Sequence, residues 1–509
     1  MSSQKTLKRI LSGISLSSLL FSGALRAETL DEALTYTYVA NPEILAQRAY
    51  LRSVEEKITQ SNSGYKPVVK GEASYGYEYE RTKTSPLFSE NESKPVMFGV
   101  SAVQPIFSGF ATSASVKAAK ALYEAESANL RATEQNTLVN AVVAYTDVIR
   151  ALAVLKLNQN NETVLQRQLE YTRDRFRVGE LTKTDVAQAE ARHAGAVAAK
   201  ISAEGDLKIS YAAYRKVIGK LPDKIYEPEV PAAKLPQTLE DAIDIALKNN
   251  PAVLAAEKQA QSAQNMIEAA QAGHYPSLEL RAAYTNLRAG AHGTANIAGV
   301  NVETGRLHDE DTTVKLVLDV PFYSAGNTSS KVRETKHTAG QARININAVK
   351  KAVTRTTTQS WENYQSVLAS LTSLEEQVRA SALALEGVRY EEQAGERTIL
   401  DILNAEQELL DARVSVVTAK KNLIDAAYRL LSATGMMTPS GLGLDLARYN
   451  KTEEVKQPEE EVSPEQTEND SAEKTEDKSP EQTEDNPLEQ IENYSVEQTE
   501  IKNPEAAGT

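Results

Sequence analysis

The chain has 509 residues and not one cysteine. That absence excludes disulfide scaffolds, thiolate metal sites, thiol catalysis and a lipid-modified N-terminal cysteine. Aromatic residues are scarce, at 6%, so the 41% apolar content is largely alanine and aliphatic, a balance that suits long helices better than a β-sandwich. There is no basic surplus either. The chain holds 70 acids against 56 bases, a net charge of −14. Residues 451–509 account for all of it, with 19 acids against 5 lysines, and residues 1–450 balance at 51 of each sign. A neutral body argues against a nucleic-acid platform. The five histidines, His193, His274, His292, His308 and His337, fall in no zinc-type spacing. There is no phosphate-binding glycine loop with its lysine, and no Gly-x-Ser-x-Gly elbow. No catalytic residue, cofactor or metal is therefore expected. Beyond the N-terminus no stretch of about 18 uncharged apolar residues occurs. If the chain enters a membrane, it does so as a barrel.

The N-terminus reads as an export address. Lys5, Lys8 and Arg9 precede a short apolar run from Ile10 to Phe21, and Ser22-Gly23-Ala24 or Leu25-Arg26-Ala27 offers a cleavage site. Residues 1–27 are expected to be a signal peptide.

The remainder is a duplication. Thr29-Leu30-Asp31-Glu32-Ala33 resembles Thr238-Leu239-Glu240-Asp241-Ala242 at an offset of 209, which also pairs Asn41-Pro42 with Asn250-Pro251, Gly64 with Gly273, Pro67 with Pro276 and Tyr75 with Tyr284. Further on the offset is 216: Pro105-Ile106-Phe107-Ser108 matches Pro321-Phe322-Tyr323-Ser324, and Gly179-Glu180 matches Gly395-Glu396. Residues 28–219 and 238–436 are expected to be two repeats, each running helix, two strands, long helix, returning helix. The proline-bearing 220–237 reads as their linker, and 437–450 as the end of the body.

Each repeat carries two alternating runs. Val69, Ala73, Tyr75, Tyr77 and Tyr79 alternate with Lys70, Glu72, Ser74 and Glu78. Val96, Phe98 and Val100 form a second run, Leu278, Leu280 and Tyr284 a third, and Val314, Leu316 and Leu318 a fourth. Each has the length of a tilted membrane strand, although a half-buried soluble sheet alternates in the same way. Residues 82–95 and 289–311 read as polar surface loops. Four strands cannot close a barrel, and an open edge in lipid is not tolerated. Membrane placement therefore requires several copies to share one cylinder.

The helices are long. Residues 113–177 and 329–393 contain no proline, and about 65 residues at 1.5 Å each span roughly 100 Å. After the second break, Ile402, Leu409, Val416, Leu423 and Leu430 recur every seven residues, as do Ala405, Ala412, Ala419 and Ala426, a coiled-coil seam. The first repeat keeps its small column at Ala189, Ala196, Ala203 and Ser210, while its large column is broken by His193 and Lys200. Gly179 and Gly395 end the long helices. Thr182 with Asp185, and Thr398 with Asp401, restart the returning ones, giving two αα-hairpins with their tips at one end.

Taken together, the signal peptide, the two Asn-Pro pairs, the strands ending in Pro-Ile-Phe-Ser-Gly and Pro-Phe-Tyr-Ser-Ala-Gly, and the two Gly-Glu-x-Thr-x-x-Asp hairpins resemble the TolC family of outer-membrane factors. The resemblance covers roughly residues 28–440. It implies a mainly helical protein with membrane β-structure. The family forms a homotrimer, with four strands per protomer in a twelve-stranded β-barrel continued by a periplasmic coiled-coil barrel. The implied function is an outer-membrane exit duct. It would pass drugs or unfolded proteins with a periplasmic adaptor and an inner-membrane RND or ABC transporter, without catalysis. For the periplasmic gate it implies Asp401 and Asn404 as inward positions, an amide standing at the second where the family has an acid. Closing contacts fall on Thr184, Asp185 and Arg397, and adaptor contact on the tip residues Gly179, Glu180, Gly395 and Glu396. A tyrosine of the family is replaced here by Glu392. Asp185 and Asp401 are equally explained as helix caps.

From Ser463 an acidic octapeptide of the form Ser-Pro-Glu-Gln-Thr-Glu-Asp-Asn recurs, so 451–509 is expected to be a disordered tail outside the resemblance. Rival readings are a periplasmic helical spacer, a surface adhesin, or an envelope enzyme for which no constellation speaks.

Overall fold

The computed structural model describes residues 28–84, 87–222, 224–297, 300–303 and 307–444. The expected signal peptide and acidic tail lie outside the described residues.

Thr29 caps α1 (Leu30–Ala40), its hydroxyl accepting from the Glu32 N–H while the Glu32 carboxylate accepts from the Thr29 N–H. The Asn-Pro pair then ends that helix and starts α2 (Pro42–Asn62). Asn41 Oδ1 accepts from the Glu43 N–H at 2.8 Å, and Pro42 fits the first turn, where its missing N–H is not needed. The single helix expected at this point is thus two. The Asn41 side chain also donates from Nδ2 to the Val217 carbonyl at 2.7 Å, at the end of α4 (Lys183–Ile218). The second repeat does the same. Asn250 separates α5 (Leu239–Asn249) from α6 (Pro251–Gln271), and its Nδ2 donates to the Ala433 carbonyl at 2.9 Å, at the end of α8 (Ile399–Ala433).

The long helices are α3 (Ala111–Arg177) and α7 (Asn327–Gln393), each of 67 residues. The alanine column Ala189, Ala196 and Ala203 of α4 is buried, as are Ile402, Leu409, Leu423 and Leu430 of α8, so small residues let the backbones approach. The main core lies about midway along α3. Leu138, Val142, Tyr145 and Val148 pack there with Leu34 of α1, Tyr214 of α4, Leu431 of α8, and Leu442 of the short α9 (Pro439–Leu442). Part of α3 is long and apolar enough to cross a membrane, and half of that stretch is buried within the helical body. Tyr145 ties the connection between repeats to this core, its hydroxyl lying 2.8 Å from the Tyr226 carbonyl and 3.0 Å from that of Glu28. Burial raises the Tyr145 and Tyr428 phenols above their ordinary range.

One antiparallel sheet stands at the end of the long helices. β1 (Val68–Tyr75) and β2 (Glu78–Thr84) pair in turn with β3 (Leu87–Ser108), β3 pairs with β4 (Ser277–Ile297), and β4 pairs with β5 (Val300–Glu303) and β6 (Leu307–Asp319). Much of 82–95 and 289–311, expected as loop, is therefore strand. The β3–β4 ladder extends from Ser108 and Ser277 as far as Phe88 and Asn296. Among the described residues β1 pairs only with β3 and β6 only with β4, so both outer edges are open.

Cross-strand register sorts the residues onto two faces. Val69, Ala102, Ala282 and Val314 form one row, and the rows of Val100 with Tyr284 and of Leu280 with Leu316 lie on the same side. Val69, Tyr75, Phe98, Val100, Val314, Leu316 and Leu318 are all exposed there. The other side carries Lys70, Glu72, Ser101, Arg281, Thr313 and Lys315. One face is thus built for an apolar medium and the other for water.

Candidate functional site at the hairpin tips

The two tips are built alike. In the first, Gly179 takes φ +82°, its N–H donates to the Phe176 carbonyl at 3.0 Å, and the Glu180 N–H donates to the Arg175 carbonyl at 2.9 Å. In the second, Gly395 takes φ +82° with the matching bonds to Glu392 and Glu391, both 2.9 Å. A left-handed residue closes the last carbonyls of each long helix, and glycine adopts that conformation without a Cβ penalty. Thr182 and Thr398 then restart the chain as reciprocal caps with Asp185 and Asp401. Asp401 Oδ2 accepts from the Thr398 N–H at 2.9 Å and from its hydroxyl at 2.7 Å. Those bonds, the backbone one foremost, together with the charge of Arg397, lower the Asp401 carboxyl below its ordinary pKa.

The hairpins are joined within one protomer. Leu165 and Ala196 of the first pack with Ile399 and Leu403 of the second. Arg175 Nη1 donates to Glu392 Oε1 at 2.5 Å, and its Nε donates to Glu180 Oε2 at 2.8 Å. The Glu392 side chain is buried, so the pair works in a drier setting than the surface bridges around it. Nearer the helix bodies, Arg192 Nη2 donates to Asn404 Oδ1 at 2.8 Å.

The family model described as outer membrane efflux protein matches residues 37–220 and 242–436. The chain belongs to the outer membrane efflux protein family. It is 34% identical over 430 residues to outer membrane efflux protein BepC of Brucella suis, covering 84% of this chain and 90% of that one. It is 26% identical over 447 residues to outer membrane protein TolC of Escherichia coli, covering 86% and 88%. Among solved structures, the Campylobacter jejuni CmeC outer membrane channel superposes with a TM-score of 0.67 at 15% identity, over 83% of this chain and 88% of that one. At that identity the likeness speaks for the fold. Members of the family are transport channels rather than enzymes, and they work with adaptor and inner-membrane transporter partners. This efflux-family chain is accordingly an export channel of the outer membrane that reaches into the periplasm.

Within this family frame, the sequence-predicted positions gather at one end of the helical body but do not all meet. Asp185 and Asp401 cap their own helices through Thr182 and Thr398. Arg397 donates to Glu391 Oε2 at 2.9 Å, so within a protomer its partner lies in its own hairpin, not at Thr184 or Asp185. Thr184 and Asn404 are exposed. Sequence reading did not single out Arg175 or Arg192. The one available signal was Glu392, an acid standing where the family has tyrosine. Among the described residues, no three His, Asp or Glu side chains gather to hold a metal.

Proposed function

We propose that three copies of the chain close one twelve-stranded barrel in the outer membrane, and that their α3–α4 and α7–α8 hairpins form a single water-filled tube through the periplasm. The observation that supports this most directly is the sheet. It has four strand rows, one apolar face, one polar face and two open edges. Each unpaired backbone group in hydrocarbon costs several kcal/mol, roughly, so a lone copy is unstable there and closure by further copies removes the cost. At the far end the hairpin tips form the gate. Asp401 contributes one ring of three carboxylates and Asn404 a ring of amides held by Arg192. Gly179, Glu180, Gly395 and Glu396 present the surface that meets a periplasmic adaptor.

The duct receives cargo from an inner-membrane RND or ABC transporter. Relatives bear names of both kinds, outer membrane efflux protein and alkaline protease secretion protein. Small drugs and unfolded polypeptides are the corresponding cargoes. The test is fractionation followed by deletion. Heat-modifiable trimers in outer membranes, with loss of drug tolerance or of a secreted protein in the deletion strain, are expected. A chain that is monomeric and soluble without detergent would overturn the proposal.

A further inference from the structure

A recess of about 630 Å³ opens in the helical body where the start of α6 meets the end of α8, between α3 and α7. Asn136 and Asn140 line it from α3, Thr356 and Ser360 from α7, and Arg429 and Ser432 from α8. Two long-range amide bonds fix its walls. Gln135 Nε2 donates to the Gly435 carbonyl at 2.9 Å, and Asn250 Nδ2 donates to the Ala433 carbonyl at 2.9 Å. The cavity is therefore formed before any ligand arrives, which lowers the cost of binding.

The chemistry of the lining is one-sided. Among the described residues that line the recess, none is acidic, none is aromatic, and Arg429 carries the only charge. Asn136, Asn140, Thr356 and Arg429 are exposed, while Ser360 and Ser432 are half-buried. Among the described residues, none of these six side chains has a hydrogen-bond or ionic partner. The first N–H groups of α6 are already taken. That of Ala252 donates to Asn250 Oδ1 at 2.9 Å, and that of Val253 to the Asn250 carbonyl at 3.1 Å. Recognition of charge thus falls to the guanidinium and not to the helix end. Nor does the architecture demand an arginine there. The repeat offset of 216 pairs Gly219 with Gly435, and it sets Ala213 of α4 where Arg429 stands in α8.

We propose that this recess binds a polyhydroxylated organic acid, such as a sugar acid, with its carboxylate on Arg429 and its hydroxyls on the surrounding amides and hydroxyls. A guanidinium meets a carboxylate through two parallel bonds, and a lining without acids adds no repulsion. Asparagine both donates and accepts, as a sugar hydroxyl does. No ring is present on which a flat aromatic molecule could stack. The volume lies within the roughly 300–1,000 Å³ of small-molecule sites.

The recess also has a defined side. On α3, Asn136 and Asn140 lie opposite Leu138, Tyr145 and Val148 of the main core, which packs against α1, α9 and the connection between repeats. In the tube reading those small elements belt the outside, since inside they would fill the bore. The recess then faces the water of the duct. Only this placement rests on the tube reading, because every lining residue belongs to one chain.

Purified full-length protein in detergent is titrated calorimetrically with lactobionate, a disaccharide acid, and with lactose, its uncharged relative. Saturable binding of lactobionate is expected, with lactose weaker by about tenfold or more. Arg429→Ala, which installs the residue of the first repeat, should remove that preference and leave thermal unfolding nearly unchanged. Arg429→Lys should recover part of it, since lysine keeps the charge without the fork. Asn140→Ala should weaken both ligands. Equal lactobionate affinity in wild type and Arg429→Ala, or no saturable binding by folded wild type, overturns the site and leaves the duct standing. In planar bilayers, lactobionate is expected to lower the conductance of wild type and not that of Arg429→Ala. Arg429-dependent binding without that effect on current sustains the site and overturns its place on the bore.

Discussion

The Asp401 carboxylate holds the first turn of α8 through bonds from the Thr398 N–H and hydroxyl, and it supplies the one acid of the proposed gate ring. The two roles separate by substitution. Asp401→Ala removes the charge and the reciprocal half of the capping box, the bonds accepted from the Thr398 N–H and hydroxyl, while Thr398 itself remains the N-cap. Asp401→Asn keeps a capping oxygen and removes only the charge. Both are expected to relieve block by divalent cations in planar-bilayer recordings, while only alanine lowers thermal stability appreciably. Unchanged cation sensitivity in both variants would remove Asp401 from the gate. Because the folded carboxyl titrates below its ordinary value near 4, its stabilising contribution is complete above the unfolded pKa and fades as pH falls through the lower folded one. Divalent block should therefore persist at about pH 5. The Arg175–Glu392 pair gives an asymmetric prediction. Arg175→Ala strands the buried Glu392 carboxylate, a change that costs up to about 3–5 kcal/mol in a fully dry site and less here, since Arg175 is partly exposed. Glu392→Ala leaves Arg175 its bond to Glu180 and should cost clearly less by thermal unfolding. Equal losses would mean that the pair is not energetically buried. The caps at Asp185 and Asp401 were legible because a Thr-x-x-Asp box is local in sequence. The Arg175–Glu392 link was not, because its ends lie 217 residues apart and meet only when two hairpins dock.

At the scale of elements, the Asn-Pro pairs show how one residue serves two helices. Asn41 and Asn250 accept at the start of the following helix and donate to the last carbonyls of a returning one. Substitution by alanine loses both bonds and is expected to cost about 1–2 kcal/mol at either site. Aspartate is the sharper probe. It is as good an N-cap as asparagine, but it cannot donate to Val217 or Ala433, and it places negative charge at a helix C-terminus. Asn250→Asp should therefore destabilise at least as much as Asn250→Ala in chemical denaturation. A near-neutral aspartate would show that the amide bond to Ala433 contributes little. The long helices were legible to within two residues at each end, since glycine, threonine and aspartate punctuate them locally and proline is absent between. The strands were read too short. Their apolar–polar alternation lapses through residues 82–95 and 289–311, while the β3–β4 ladder continues to Phe88 and Asn296. Where both faces of a strand are polar, backbone pairing persists without any hydropathy signal, so period-2 reading stops where the apolar band stops.

At the scale of the whole molecule, charge neutrality of residues 1–450 and the division of the sheet into two faces belong together. A body with no net charge has no general attraction for polyanions, and its sheet presents an exposed apolar face that bears Val69, Phe98, Val100 and Leu316. A soluble spacer or adhesin would expose that face to water, at a cost proportional to its area. A membrane channel places it in hydrocarbon. Two lysine substitutions distinguish these cases. Val100→Lys puts a charge on the apolar face, where burial in the bilayer interior costs about 2–4 kcal/mol. Ala283→Lys puts the same charge on the opposite face, between Ser101 and Thr313, in the water of the proposed duct. In outer-membrane fractions Val100→Lys is expected to reduce heat-modifiable trimer markedly, and Ala283→Lys is expected to leave it near wild-type level. Equal tolerance of both would mean that neither face meets lipid. A strong defect from Ala283→Lys with none from Val100→Lys would mean that the barrel closes with its faces reversed.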